Sequence, residues 1–135
     1  MITYTMSTAD IHPSHLTGFF VGWPNPPSPE RHLAILNAAS HVVLAIDDQS
    51  GRVVGFIYAI SDNILSAYIP LLEVLPEYKN QGIGRELVRR LLDQLKDFYM
   101  IDLICDDNLR PFYEKLGLKY HGGMIIRNYN RQSGS

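Results

Sequence analysis

The run Lys79-Asn80-Gln81-Gly82-Ile83-Gly84-Arg85 holds the residue types best suited to gripping a phosphate. It follows an apolar stretch and opens an amphipathic one, so it is predicted to join a strand to the first turn of a helix. The first N–H groups of a helix have no acceptor within the helix, and the dipole there favours negative charge. Two glycines one residue apart let the backbone approach a ligand with no Cβ in the way. Residue type excludes two common phosphate loops. A dinucleotide fingerprint needs a third small residue where this chain has Leu87. A triphosphate loop needs Lys and Ser or Thr after its last glycine, where this chain has Arg85-Glu86.

Other residues stand out by chemistry. Glu73 places a carboxylate in an otherwise apolar strand, which is costly unless the group is paired or used. Pro70 sits in the same strand and cannot donate to a ladder, so a break or bulge is expected near 70–72. Phe19, Phe20 and Trp23 lie in an apolar, proline-rich loop, with Tyr58 and Tyr68 as candidate further walls of one pocket. His12, His15, His32 and His41 show no metal-ligand spacing and are expected to be surface or satisfied histidines. Cys105, the single cysteine, is expected to be a small apolar filler and rules out an internal disulfide.

The elements that must position these residues follow from periodicity and turn residues. Strands are expected at 2–6, 41–47, 52–60, 65–75 and 100–105. A weak helix disturbed by Pro13 is expected over 10–20, and a capped one from Ser28-Pro29 to about Asn37. The helix after Gly82 carries an apolar stripe at Ile83, Leu87, Val88, Leu91, Leu92 and Leu95. A short helix over 109–116 ends at Gly117, and 118–127 is expected to close the domain as a strand or hairpin. An antiparallel meander entering a single βαβ crossover defines an α+β domain with a mixed, mostly antiparallel sheet and helices on both faces. The expected organisation is one domain over 1–130 and a flexible tail over 131–135.

The loop resembles the pyrophosphate loop of the GNAT superfamily of acyl-CoA-dependent N-acyltransferases, which reads Arg or Gln, two residues, Gly, one residue, Gly or Ala. Lys79 departs from that pattern at its first position. Downstream, Asn108-Leu109-Arg110-Pro111-Phe112-Tyr113-Glu114-Lys115-Leu116-Gly117 resembles the second motif of the same family. The likeness covers about 52–127, and two motifs at suitable separation are far more specific than either alone.

The resemblance implies acetyl transfer from acetyl-CoA to a primary amine by direct attack, without a metal. It assigns the pyrophosphate to the backbone N–H groups of Asn80, Gln81, Gly82, Ile83, Gly84 and Arg85, with Lys79 and Arg85 adding charge on the rim, and pantetheine to Leu72 and Val74 at an opened strand. Asn108 and Phe112 join the cofactor residues through the second motif. It makes Tyr113 the acid for the departing thiolate. Glu73 is the candidate base, with Asp106 and Asp107 as rivals and a structural ion pair as the alternative. It places the acceptor against Phe19, Phe20, Trp23, Tyr58 and Tyr68, which suits a small or partly apolar amine. Two other readings stay open: acetylation of a protein lysine or N-terminus, and a non-catalytic module that binds CoA.

Composition narrows the partners. A net charge of −2 supplies no basic field for nucleic acid. The apolar runs are strand-sized, so no membrane span is expected. With no signal-like N-terminus and one cysteine, a cytoplasmic location is expected. Apolar residues near the C-terminus could pair between subunits as a homodimer.

Overall fold

A computed structural model describes residues 1–135. Five strands form one sheet in the order β1 (Ile2–Thr5), β2 (His41–Asp47), β3 (Val53–Ser61), β4 (Ser66–Val74) and β5 (Met100–Leu103). The first four are antiparallel, and β4 and β5 are parallel. Helix α2 (Ile83–Gln94) makes the crossover between those two, as the apolar stripe predicts. Its residues Ile83, Leu87, Val88 and Leu91 are buried against the sheet. Gly55 in β3 permits this contact: a Cβ there would stand 3.1 Å from Leu87 Cδ1 and 3.2 Å from Ile83 Cγ2. Residue 56 points to the opposite face. There Phe56 meets Phe19 and also His32 of helix α1 (Pro29–Ala38), so helices cover both faces. Ser28 caps α1 by accepting from the Arg31 N–H at 3.1 Å, and Pro29 occupies the first turn.

Two expected elements are absent. Residues 10–20 contain only a 3-10 turn, Pro13–Leu16. Gly18 at φ 92° and Phe20 at φ 63° end any helical course beyond it. Residues 118–127 form neither strand nor hairpin. They run past helix α3 (Arg110–Glu114) as largely exposed backbone; the Leu118 N–H donates to Tyr113 O at 3.2 Å, and no main-chain group of 119–127 bonds another main-chain group of this chain. The reason lies at the sheet edge, because an isolated strand gains its hydrogen bonds only from a neighbour. The end of the chain folds back: a 3-10 turn spans Tyr129–Arg131, and the Asn25 N–H donates to Gln132 Oε1 at 3.0 Å.

Strand β4 breaks where Pro70 predicts. Tyr58 pairs with Leu71 and Ile60 with Tyr68, so Ile69 and Pro70 together oppose Ala59 as a bulge. Pairing with β5 stops at Ile69 opposite Leu103. The Leu75 N–H donates to Val54 O at 2.9 Å, which fixes the alternation along β4. Leu71 and Glu73 direct their main-chain groups at β3, whereas Pro70, Leu72 and Val74 face the β5 side. Proline has no N–H to offer on that side, and the two parallel strands part there.

Candidate active site

The loop before α2 presents a row of unused donors. No main-chain N–H from Asn80 through Arg85 makes a hydrogen bond within the protein; the first helical bond runs from the Glu86 N–H to Gly82 O at 3.1 Å. Asn80 at φ 62° and Gly82 at φ 82° give the loop its curl. A Cβ on Gly82 would meet nothing within 4 Å, so its open side faces outward. Gly84 does a different job. Its missing Cβ lies 3.8 Å from Val74 Cγ2 and 3.7 Å from Phe112 Cζ, so loop, opened strand and α3 converge on this one residue. Lys79 and Arg85 are exposed on the rim and form no ion pair. Asn108 is exposed on the turn Asp107–Leu109, and its side chain makes no hydrogen bond.

The site therefore brings Leu72, Val74, the 79–85 loop and Phe112 together around the gap in the sheet. Tyr113 stands next to Phe112, with ring centroids 4.9 Å apart and nearly perpendicular planes. Its phenol is buried, and burial, reinforced by the neighbouring Cys105, pushes its pKa up to about 12. A phenol so placed keeps its proton through neutral pH, as a donor must.

Glu73 lies on the other face of β4, toward α1. Its Oε1 accepts from the Phe20 N–H at 2.8 Å and its Oε2 from the Val21 N–H at 3.2 Å. The carboxylate is thus a clamp on the aromatic loop and forms no ion pair. Asp106 and Asp107 are exposed. Phe20 touches Trp23 at 4.9 Å and Phe56 at 6.1 Å, and Phe56 stacks on Tyr58 at 6.4 Å. Phe19 packs on Phe56 at 5.1 Å as part of the core. Tyr68 is partly exposed, close enough to Tyr58 for the two phenols to raise the Tyr58 pKa beyond the larger effect of burial.

Two residues of this region escaped sequence reasoning. Phe56 is the hub of the aromatic cluster, and only its place in an alternating strand could have shown it. His32 departs from the expectation of a surface or satisfied histidine: it is buried, and neither ring nitrogen has a partner. It contacts Phe19, Phe20 and Phe56, and burial pulls its pKa down to about 4. No three His, Cys, Asp or Glu side chains come together as a metal site.

Because Gly82 is left-handed and open, Gly82→Val is expected to strain the loop by ~1–2 kcal/mol and to place methyl groups over the free donors. Titration calorimetry should show CoA affinity falling by at least about 30-fold, or roughly 2 kcal/mol; unchanged affinity would separate the loop from CoA.

The description "Acetyltransferase (GNAT) family" matches residues 8–118. A crystallised "putative acetyltransferase" from Deinococcus radiodurans R1 is 48% identical, with a TM-score of 0.95 over 98% of this chain and 92% of that one, so the superposition takes in the C-terminal segment. An uncharacterized N-acetyltransferase ycf52 of Pyropia yezoensis is 29% identical over 72% of this chain and 58% of its own length. The histone acetyltransferase TAP1 of Glycine max is 31% identical over 73% of this chain and 47% of its own. The chain thus spans about half the length of these curated relatives. With the loop, the opened strand and α3 arranged as described, and a family match over most of its length, this chain belongs to the GNAT acetyltransferase family.

Proposed function

We propose that this protein transfers the acetyl group of acetyl-CoA to a primary amine of a small molecule, by direct attack in a ternary complex. The observation that carries the reading is the unbroken row of free N–H groups from Asn80 to Arg85 beside the free main-chain groups of Leu72 and Val74. The row suits a diphosphate, and an amide of β4 suits the oxygen of a thioester carbonyl as charge develops on it. The amine nitrogen bonds to the carbonyl carbon and the C–S bond breaks. Tyr113 gives its phenolic proton to the leaving sulfur. Glu73 has lone pairs beyond those used by Phe20 and Val21, and it lies beside the aromatic cluster proposed to receive the acceptor, so it takes the proton that the amine loses.

A thiol-release assay with acetyl-CoA and a panel of small amines and lysine peptides tests this reading. Small amines are expected to be the better acceptors. The soybean relative favours a second reading, in which the amine belongs to a protein, and higher turnover on peptides would establish it. CoA binding with no amine acetylated would leave a binding module. Tyr113→Phe is expected to lower kcat by about 10- to 100-fold, the low end for a general acid, because a thiol with pKa near 8.5 leaves readily. The KM for acetyl-CoA should change little. Unaltered turnover in that variant would remove Tyr113 from the chemistry.

A further inference from the structure

Cys105, the single thiol of the chain, stands at the lip of the gap in the sheet. Pairing between the parallel strands stops at Ile69 opposite Leu103. Two residues further along each strand, the same register sets Cys105 level with Leu71, beside the free main-chain groups of Leu72. Alternation keeps Cys105 on the face of Ile101 and Leu103, which pack against the core, while Asp102 and Ile104 are exposed. The thiol is only partly buried. It lines a groove of about 800 Å³ that runs from β5 past α3 to solvent.

A second group meets that groove. Tyr113 is only 9% exposed, and its hydroxyl has no hydrogen-bond partner in the protein. A polar group so enclosed is normally paired, so the unmet phenol points to a ligand atom beside it. Cys105 is close enough for its charge to be felt at the phenol. On the acetyl-CoA reading above, on which this inference rests, the sulfur of the cofactor lies at Tyr113 and the β4 amides. The one thiol of the protein and the one thiol of the cofactor then share the mouth of the same gap.

We propose that Cys105 is a modification site that forms a reversible mixed disulfide with coenzyme A, loaded by a CoA disulfide held through its diphosphate on the 80–85 amides. The Cys105 thiolate attacks the nearer sulfur. A bond forms between Cys105 and one CoA, the original S–S bond breaks, and the second CoA departs as thiolate along the groove. The proton that Cys105 released to solvent is made good at the departing sulfur, with Tyr113 as its donor. One thiol and one disulfide go in and one of each comes out, so no further oxidant is needed. The adduct occupies the pantetheine slot, and acetyl transfer stops until a thiol reductant reverses the exchange.

Mass spectrometry of the full chain treated with the symmetric disulfide of CoA is expected to show one CoA added per chain, at Cys105. Loading should run at least about 100-fold faster than with glutathione disulfide, which offers the same bond without the diphosphate; correct positioning supplies factors of this size and larger. Gly82→Val should slow loading by CoA disulfide at least about 10-fold and leave the glutathione rate unchanged. Amine acetylation should fall as the adduct accumulates and return with dithiothreitol. Cys105→Ser, freed of excess disulfide by gel filtration, should carry no CoA and lose none of its own turnover. Calorimetry with reduced CoA separates this inference from the reading beneath it. If CoA binds but its disulfide loads no faster than glutathione disulfide, or if Cys105→Ser is inactivated equally, the proposal is overturned and the CoA site stands. If CoA does not bind, both are overturned.

Discussion

Glu73→Ala is expected to lower stability by about 3 kcal/mol and to reduce kcat/KM for the amine by at least about 100-fold. Two main-chain donors lose their acceptor in this variant, and bonds to a carboxylate contribute about 1.5–3 kcal/mol each. The loss falls on a strained place. Phe20 holds φ at 63°, a left-handed conformation that disfavours a bulky side chain by ~1–2 kcal/mol. The Glu73 clamp, the Trp23 N–H donating to Phe20 O at 3.1 Å, and the ring contacts with Trp23, His32 and Phe56 hold it there. Without the clamp the loop relaxes and the aromatic cluster loosens. Glu73→Gln separates the two roles. Its one remaining oxygen still accepts from Phe20, so urea unfolding should place its stability between that of the parent and the alanine variant. As a proton acceptor the amide is useless, so its turnover should fall with the alanine variant's. Full turnover with an unshifted pH–rate profile in Glu73→Gln would make Glu73 a clamp alone, and an alanine variant of undiminished stability would deny the clamp.

Acid is expected to weaken the fold through His32. The imidazole has a pKa of about 4 when folded, against about 6.5 in an unfolded chain. Between those values the unfolded state binds the extra proton, so stability is complete above pH 6.5 and falls as pH drops toward 4. Over this window the loss is about 3 kcal/mol, at roughly 1.4 kcal/mol for each pH unit. The Asp62 and Glu86 carboxyls, held down to about 2 by hydrogen bonds from ordinary values of 3.8 and 4.5, lose most of their contributions below pH 4, so their windows meet that of His32 only at its lower end. His32→Phe keeps an aromatic ring among Phe19, Phe20 and Phe56 and removes the titration. Its stability between pH 6.5 and 4, measured by urea unfolding, should lose most of the slope. An equal slope in both proteins would place the acid sensitivity elsewhere.

Much of the framework was legible because it rests on short-range chemistry. The stripe from Ile83 to Leu95 fixed the face of α2, Ser28-Pro29 fixed the start of α1, and Pro70 announced the bulge. The free donors of 80–85 likewise follow from local backbone geometry. What was hidden depends on contacts distant in sequence. Glu73 was expected to act on a proton or an opposite charge, yet its partners are the amides of Phe20 and Val21, more than fifty positions away. His32 lies on an otherwise ordinary amphipathic helix, and its burial follows only from where Phe56 falls in the sheet. The helix expected over 10–20 gave way to glycine and a left-handed Phe20, a conformation that no pattern of apolar residues reveals. The strand expected over 118–127 has the right side chains and no neighbour within its own chain.

The missing hydrogen on Pro70 has a bearing on how a donor molecule gets in. An imino nitrogen cannot be persuaded to zip the two parallel strands together, whatever the solution conditions. The slot is therefore built by covalent structure, ahead of any encounter, and a thioester arm entering it finds no ladder to unfasten. Association then spends nothing on prying the sheet apart, and its speed is set by how the long flexible arm threads a doorway that is already ajar.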